Sequence, residues 1–348
     1  MVGADGIGLR QRVVSVTSKE IVKSAIHFSG ADRLAKDIWI IPAARKKYAE
    51  KFDELLTMYP TDIARVENGC AEADANRIFE FGQYKDSWGI TWHNIQDGYF
   101  GEAKGPAVNN AEELKYYRPP LWHTEEGWDD MTQKLAAVKD KFIVASQINP
   151  FERMQFVRGT EALYMDLAMG DKCFFQVRDL VWEYFSRMLD KWLTYDEVDA
   201  FSFSDDWGSQ RALLISPEHW VAHFKPMYQE LMCRVKRAGK AVFVHCDGYI
   251  MDLYPQFIEL GVDAINSQLW CMDVEEIAAR YAGAIAFWGE ISRQDTLPNG
   301  GPAEIRRTAE KMKELFFKNG GGLIGQCEVG ADVPLENIKA ALTCWDNI

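Results

Sequence analysis

Val242-Phe243-Val244-His245-Cys246-Asp247-Gly248 decides the fold. An apolar run of strand-forming residues delivers an imidazole, a thiol and a carboxylate into a loop, and a helical pattern begins near Tyr249. Eighty-one residues after Cys246 the design returns, as Gly321-Gly322-Leu323-Ile324-Gly325-Gln326-Cys327-Glu328. In barrels of alternating strands and helices, chemistry sits at the carboxyl ends of strands. Two metal-competent clusters at equivalent points of successive units imply one site assembled from several loops.

From about residue 140 the same alternation holds. Phe142–Ser146, Ala200–Ser204, Ala241–His245, Ala264–Asn266, Ile285–Trp288 and Gly322–Gln326 read as strands. Helical patterns cover 151–168, 173–194, 249–260, 273–281, 302–318 and 334–345. Another opens at Ser216-Pro217-Glu218, with Ser as N-cap and Pro at the first helical position, and runs to about Arg237. Strands recurring at helix-length intervals imply right-handed crossovers and a parallel sheet. The expected architecture is α/β, a single (β/α)8 TIM barrel with residues 1–348 as one domain. Ile38–Ile41 reads as an earlier strand and Ala43–Met58 as a helix. The segment from Asp86 to Pro120, rich in Trp, Tyr, Gly and Pro, has no helical period. It is expected to be a hairpin or irregular excursion that caps the site.

Composition narrows the function classes. Thirty-nine basic against 52 acidic residues give a formal charge of −13, which argues against a nucleic-acid or anionic-membrane surface. No apolar run approaches the roughly 20 residues of a membrane helix, and the first residues lack the apolar segment of a secretory signal. A cytoplasmic protein is the expectation. The seven cysteines are odd in number and form no CxxC pair, so a disulfide framework is not expected. GxGxxG after a strand, GxxxxGK[ST], GxSxG and HExxH are all missing, which removes the simplest nicotinamide, NTPase and serine-hydrolase readings.

His245 and Cys327 are the leading metal candidates, because zinc favours imidazole nitrogen and thiolate sulfur and keeps a position open for substrate in catalytic sites. Asp247 lies two residues beyond His245, so alternation aims it to the same side and turns Cys246 away. Glu290, closing Phe287-Trp288-Gly289-Glu290, stands at a further strand end. His245 alone would equally suit a satisfied core histidine. Asp205 and Asp206 are paired carboxylates suited to acid–base work, or one caps a loop while the other enters the pocket. Trp88 and Trp92 can wall a substrate pocket, or simply pack. Arg293 can bind an anionic substrate, or pair with local acids. Phe151-Glu152-Arg153 places another charged pair near the same rim.

With these residues in view, the chain resembles the uroporphyrinogen decarboxylase superfamily, in particular its corrinoid-dependent zinc methyltransferase branch. The resemblance runs from Asp205 to Ile348. Asp205-Asp206-Trp207-Gly208-Ser209-Gln210 with Ile215-Ser216-Pro217-Glu218 is similar to the branch's middle motif. His245-Cys246-Asp247-Gly248 followed by Gly261-Val262-Asp263-Ala264 is similar to its H-x-C-G and G-V-D-A pattern, with Asp247 where a cysteine belongs. Val333-Pro334-Leu335-Glu336-Asn337-Ile338-Lys339-Ala340 is similar to the closing T-P-x-E-N-I-K-A helix.

The resemblance implies a TIM barrel holding zinc through His245 and Cys327; Glu290, from its strand-end position, would join them, with Asp247 a further ligand or a base close beside the metal. It also implies methyl transfer from a small O-methylated donor, such as an aryl methyl ether, to a partner corrinoid protein. Asp205, Asp206 and Asp247 would be catalytic, and Trp88, Trp92 and Arg293 would contact substrate. The oxygen ligand at Asp247 favours activating an ether oxygen over a thiol. Two other readings compete: a metal-independent decarboxylase-like lyase using Asp205, Asp206 and Arg293, and a non-catalytic barrel that binds a small ligand or a corrinoid partner.

Overall fold

The computed structural model describes residues 16–30, 32–124, 127–346 and 348. Eight parallel strands form its centre: β1 Ala35–Lys36, β2 Ile63–Val66, β3 Phe142–Ile148, β4 Ala200–Ser204, β5 Ala241–Cys246, β6 Ala264–Ser267, β7 Ala286–Trp288 and β8 Leu323–Gly325. They pair in chain order from β2 to β8, and β8 pairs with β1. Between β1 and β2 the circle is completed by Asp62, whose N–H donates to the Lys36 carbonyl at 2.7 Å and whose carboxylate accepts the Lys36 N–H at 2.9 Å. The fold is a (β/α)8 TIM barrel.

A strand's side chains alternate between its two faces. Inside the barrel, small Ala35, Ala200, Ala264 and Ala286 sit among large Phe142, Phe243 and Trp288. Phe243 stacks on Phe142 with centroids 5.6 Å apart and meets Trp288 edge-on at 5.1 Å. The helix Ser18–His27 closes the amino-terminal end of this core through Ile21, Val22, Ala25 and Ile26. Its Thr17–Glu20 capping box fixes its start. The other end of the barrel is therefore the open one.

Several expected elements change at their edges. The expected helix over 151–168 is two, Pro150–Arg158 and Thr160–Met169, separated by Gly159 at φ +84°. The helix from Ser216 also divides, into Pro217–His223 and Lys225–Arg237, because Pro226 cannot continue the first ladder. Ser216 caps it as expected, accepting from the His219 N–H at 3.3 Å. Ala43–Met58 is likewise split, at Ala49. The strand read at Ile38–Ile41 is not in the barrel: Trp39–Ile40 pairs with Glu328–Val329 above it, and Ala35–Lys36 takes the barrel position.

The excursion between β2 and β3 is a three-stranded antiparallel meander, Gly82–Lys85, Thr91–Asn94 and Glu102–Gly105. It lies over the open end of the barrel, where Trp88 and Trp92 join the cavity wall. Among the described residues, no helix is long and apolar enough to cross a membrane.

The loops after β4 and β5 interlock. Tyr249 N–H donates to the Ser209 carbonyl at 2.7 Å, and a Cβ at Gly208 would come within 2.6 Å of the Tyr249 nitrogen. Gly248, at φ +81°, meets the Gly208 backbone so closely that no side chain fits between them. Gly248→Ala should therefore cost about 2–4 kcal/mol through clash and left-handed strain. Gly301→Ala, at an open helix N-cap with no atom within 4 Å, should cost under about 1 kcal/mol. Thermal unfolding of both variants measures the difference.

Candidate functional site

Alternation along β5 places Ala241 and Phe243 inside, so His245 emerges at the open end while Cys246 turns into the surrounding shell. Cys246 is fully buried, and its sulfur accepts the Trp207 N–H at 3.2 Å. Asp247 returns to the cavity, in agreement with the expected pairing of His245 and Asp247 on one side. In register beside His245 stand Ser204 on β4 and Asn266 on β6.

Three side chains converge here. Donor atoms of Asp206, His245 and Asp247 all lie within 4.8 Å of one another. His245 Nε2 is 3.8 Å from Asp206 Oδ1 and 4.0 Å from Asp247 Oδ1. The Asp206 carboxylate accepts the Asp247 N–H at 2.7 Å, so one ligand loop braces the other. His245 Nδ1 is 2.7 Å from Asn266 Oδ1, which makes Nδ1 the protonated nitrogen and leaves the Nε2 lone pair facing the carboxylates. Asn266 is held in turn by its amide donating to the Trp288 carbonyl at 2.5 Å and to Gln326 Oε1 at 3.1 Å. Arg293 binds Asp247 and reaches Glu328 at 3.3 Å.

One imidazole nitrogen and two carboxylates, each with a free electron pair, suit a divalent cation with an open coordination position. Burial and the Asp247 charge raise the Asp206 pKa, while the Asp247 N–H that Asp206 accepts opposes the rise. A bound cation would relieve that strain between like charges.

Two of the expected ligands are placed differently. Cys327 is 1% exposed and packs in the shell outside the strands. The parity of β8 explains this: Ile324 faces the interior, Gln326 follows it there to meet Asn266, and Cys327 points outward. Burial pushes its thiol well above the ordinary range. Glu290 is 6% exposed and does not line the cavity. Neither belongs to the three-residue group. The paired aspartates also separate. Asp206 enters the cavity, whereas Asp205 is 3% exposed and accepts from the Glu152 N–H at 2.8 Å and from the Tyr228 hydroxyl.

The group opens into a cavity of about 1280 Å³ between the barrel and the meander. Trp88, Trp92, Phe156, Tyr184 and Phe185 line it, together with Arg293, Arg153 and Glu152. On its floor Arg65 binds Asp37 and lies over Trp39 at 4.7 Å and Trp288 at 5.1 Å. Trp39 then meets the His245 ring edge-on at 5.0 Å. Burial, with Asp206 and Asp205 adding repulsion, holds the Glu152 pKa well above the ordinary carboxylate value. Sequence reasoning missed Asn266, Arg65 and Trp39. Parity counting from His245 across the expected strand Ala264–Asn266 was the available signal for the first.

No family model matches this sequence, and neither does any curated protein. Among solved structures, a methyltransferase from Methanosarcina mazei superposes with a TM-score of 0.69 at 14% identity, over 95% of this chain and 98% of that one. The YdhT protein from Bacillus subtilis gives 0.44 at 10% identity, over 95% of this chain and 88% of that one. The likeness to the methyltransferase is one of fold. It spans the barrel and its cap together.

Burial pushes the Glu290 carboxyl up to about 8. The unfolded chain releases this proton near pH 4.5 and the folded chain near 8, so the folded state binds more protons between those values. Stability should fall as pH rises through that window. Glu290→Gln removes the titrating carboxyl at nearly constant volume and should flatten the loss. Urea unfolding of both proteins from pH 5 to 8.5 tests this, and parallel curves would refute it.

Proposed function

We propose that this protein is a zinc-dependent methyltransferase that moves a methyl group from a small O-methylated donor, of the aryl methyl ether type, to a corrinoid protein. The observation that carries the reading is the Asp206–His245–Asp247 group opening into an aromatic-walled cavity. Support comes also from the methyltransferase whose barrel this one matches in fold, and from the motif resemblance between Asp205 and Ile348. The ligand set proposed here is Asp206, His245 and Asp247, in place of one containing Glu290 and Cys327.

Zinc bound there would supply Lewis acidity toward the donor oxygen, making it a better leaving group. The residues do the rest. Asn266 fixes the tautomer and direction of His245, and Arg293 fixes Asp247. Half-buried Phe156, packed edge-on against the buried Trp92 at 5.0 Å, gives an apolar surface to hold a ring and exclude water. Glu152, whose pKa burial and the neighbouring Asp206 and Asp205 raise well above the ordinary carboxylate value, lines the same cavity as a candidate proton donor to the leaving oxygen. A lyase acting through Arg293 is less well supported, because that guanidinium is already shared by Asp247 and Glu328.

Elemental analysis should find one zinc per chain. His245→Ala should lose it, while Cys327→Ala should keep it, since Cys327 stands outside the group. Zinc lost from Cys327→Ala but kept by His245→Ala would sink this ligand set.

Incubation with reduced corrinoid protein and methoxylated aromatics should give methylcob(III)alamin and the free phenol. Chelation should abolish the reaction, and His245→Ala should slow it by roughly 100-fold or more. Carbon dioxide released from a carboxylated substrate without metal, with no methyl–cobalt species from any donor, would move the assignment to the lyase.

A further inference from the structure

We infer that Arg153 anchors a ligand carboxylate in the aromatic compartment of the cavity, and that the ligand is a small aromatic carboxylic acid. On the methyl-transfer reading, which this inference deepens, the donor is a methoxybenzoate.

Four cationic side chains line the cavity among the described residues. Three are committed: Arg65 to Asp37, Lys134 to Glu72 at 2.8 Å, and Arg293 to Asp247 and Glu328. Arg153 differs. Its guanidinium makes no hydrogen bond among the described residues, and its Nε is buried without a partner. The nearest carboxylate, Asp86, is 3.8 Å away, beyond hydrogen-bond reach. Asp86 is also otherwise engaged, accepting the Ile90 N–H and the Trp92 indole N–H at 2.8 Å each. Burial raises the Asp86 pKa, and its indole N–H partner Trp92 and the Arg153 charge oppose that rise.

A guanidinium left without hydrogen bonds while only 15% of its side chain is exposed forfeits much of its hydration. Here stacking compensates in part, since Arg153 lies over Trp88 at 4.5 Å and near Phe156 at 5.9 Å. Stacking holds the fork in one plane and leaves its terminal N–H groups for a planar acceptor, which a carboxylate meets in bidentate fashion. The aromatic walls beside it suit a ring carrying that carboxylate. A ring held there presents its remaining substituents to the same cavity into which Asp206, His245 and Asp247 open.

Calorimetric titration of the purified protein with 3-methoxybenzoate and its neutral isostere 3-methoxybenzamide tests the subsite without any variant. The acid should bind roughly 10- to 100-fold more tightly, the range expected for charge-assisted bonds to a half-buried guanidinium. Arg153→Met, which keeps an unbranched side chain over Trp88, should erase the preference by weakening the acid alone. Unchanged amide affinity would report that the variant is folded. Equal binding of acid and amide to the native protein, no binding of either, or a preference that survives in Arg153→Met would each overturn the inference. The two proposals separate in the methyl-transfer assay. Arg153-dependent acid binding without methyl–cobalt formation leaves the subsite standing and removes the reaction. Equal methyl transfer from acid and amide does the reverse.

Discussion

The two-residue alternation of the barrel strands governs everything at the open end. A closed parallel barrel has one interior, and each strand delivers only every second side chain to it. Phe243 fills the core, so His245 must reach the cavity and Cys246 must not. The same count on β8 sends Gln326 inward and Cys327 outward, and on β6 it sets Asn266 beside His245. The site is a consequence of register. Hydrogen bonding then fixes what register only approximates, with Asn266 choosing the imidazole tautomer and Arg293 restraining Asp247.

Convergence of two carboxylates on one imidazole costs repulsion and desolvation. Backbone fit meets that cost. The Gly208–Gly248 contact brings the two loops closer than side chains would allow, and the Asp247 N–H offers Asp206 a partner that no solvent molecule must supply. Asp205 is spent differently. By accepting from the Glu152 N–H and the Tyr228 hydroxyl, it ties the start of helix Pro150–Arg158 to the β4 loop. One member of the acidic pair builds and the other faces the cavity.

Strand positions from residue 140 onward were legible because long apolar runs recur at helix-length intervals, and Ala200–Ser204 was read to the residue. The first barrel strands were not. Ala35–Lys36 and Ile63–Val66 are too short for periodicity to register, and the apolar run at Ile38–Ile41 drew attention past the true strand. At the site, His245, Asp247 and the outward turn of Cys246 followed from parity within one segment. Cys327 was grouped by its thiol, its place at a strand end and the motif resemblance, and Glu290 by its place at a strand end. The inward position of Ile324 turns Cys327 into the outer shell, and Glu290 stands outside the cavity lining. Neither orientation could be read without knowing how the strands line up across the barrel.

The meander is inserted whole between β2 and β3, and the Asp206–His245–Asp247 group comes from the end of β5 and the loops after β4 and β5. Part of the cavity's aromatic wall thus comes from a different stretch of the chain than the Asp206–His245–Asp247 group. Residues 82–105 can change without disturbing the register that aims His245. One barrel can in this way carry a different cap while keeping the same group at its strand ends, as a single tool takes different jaws.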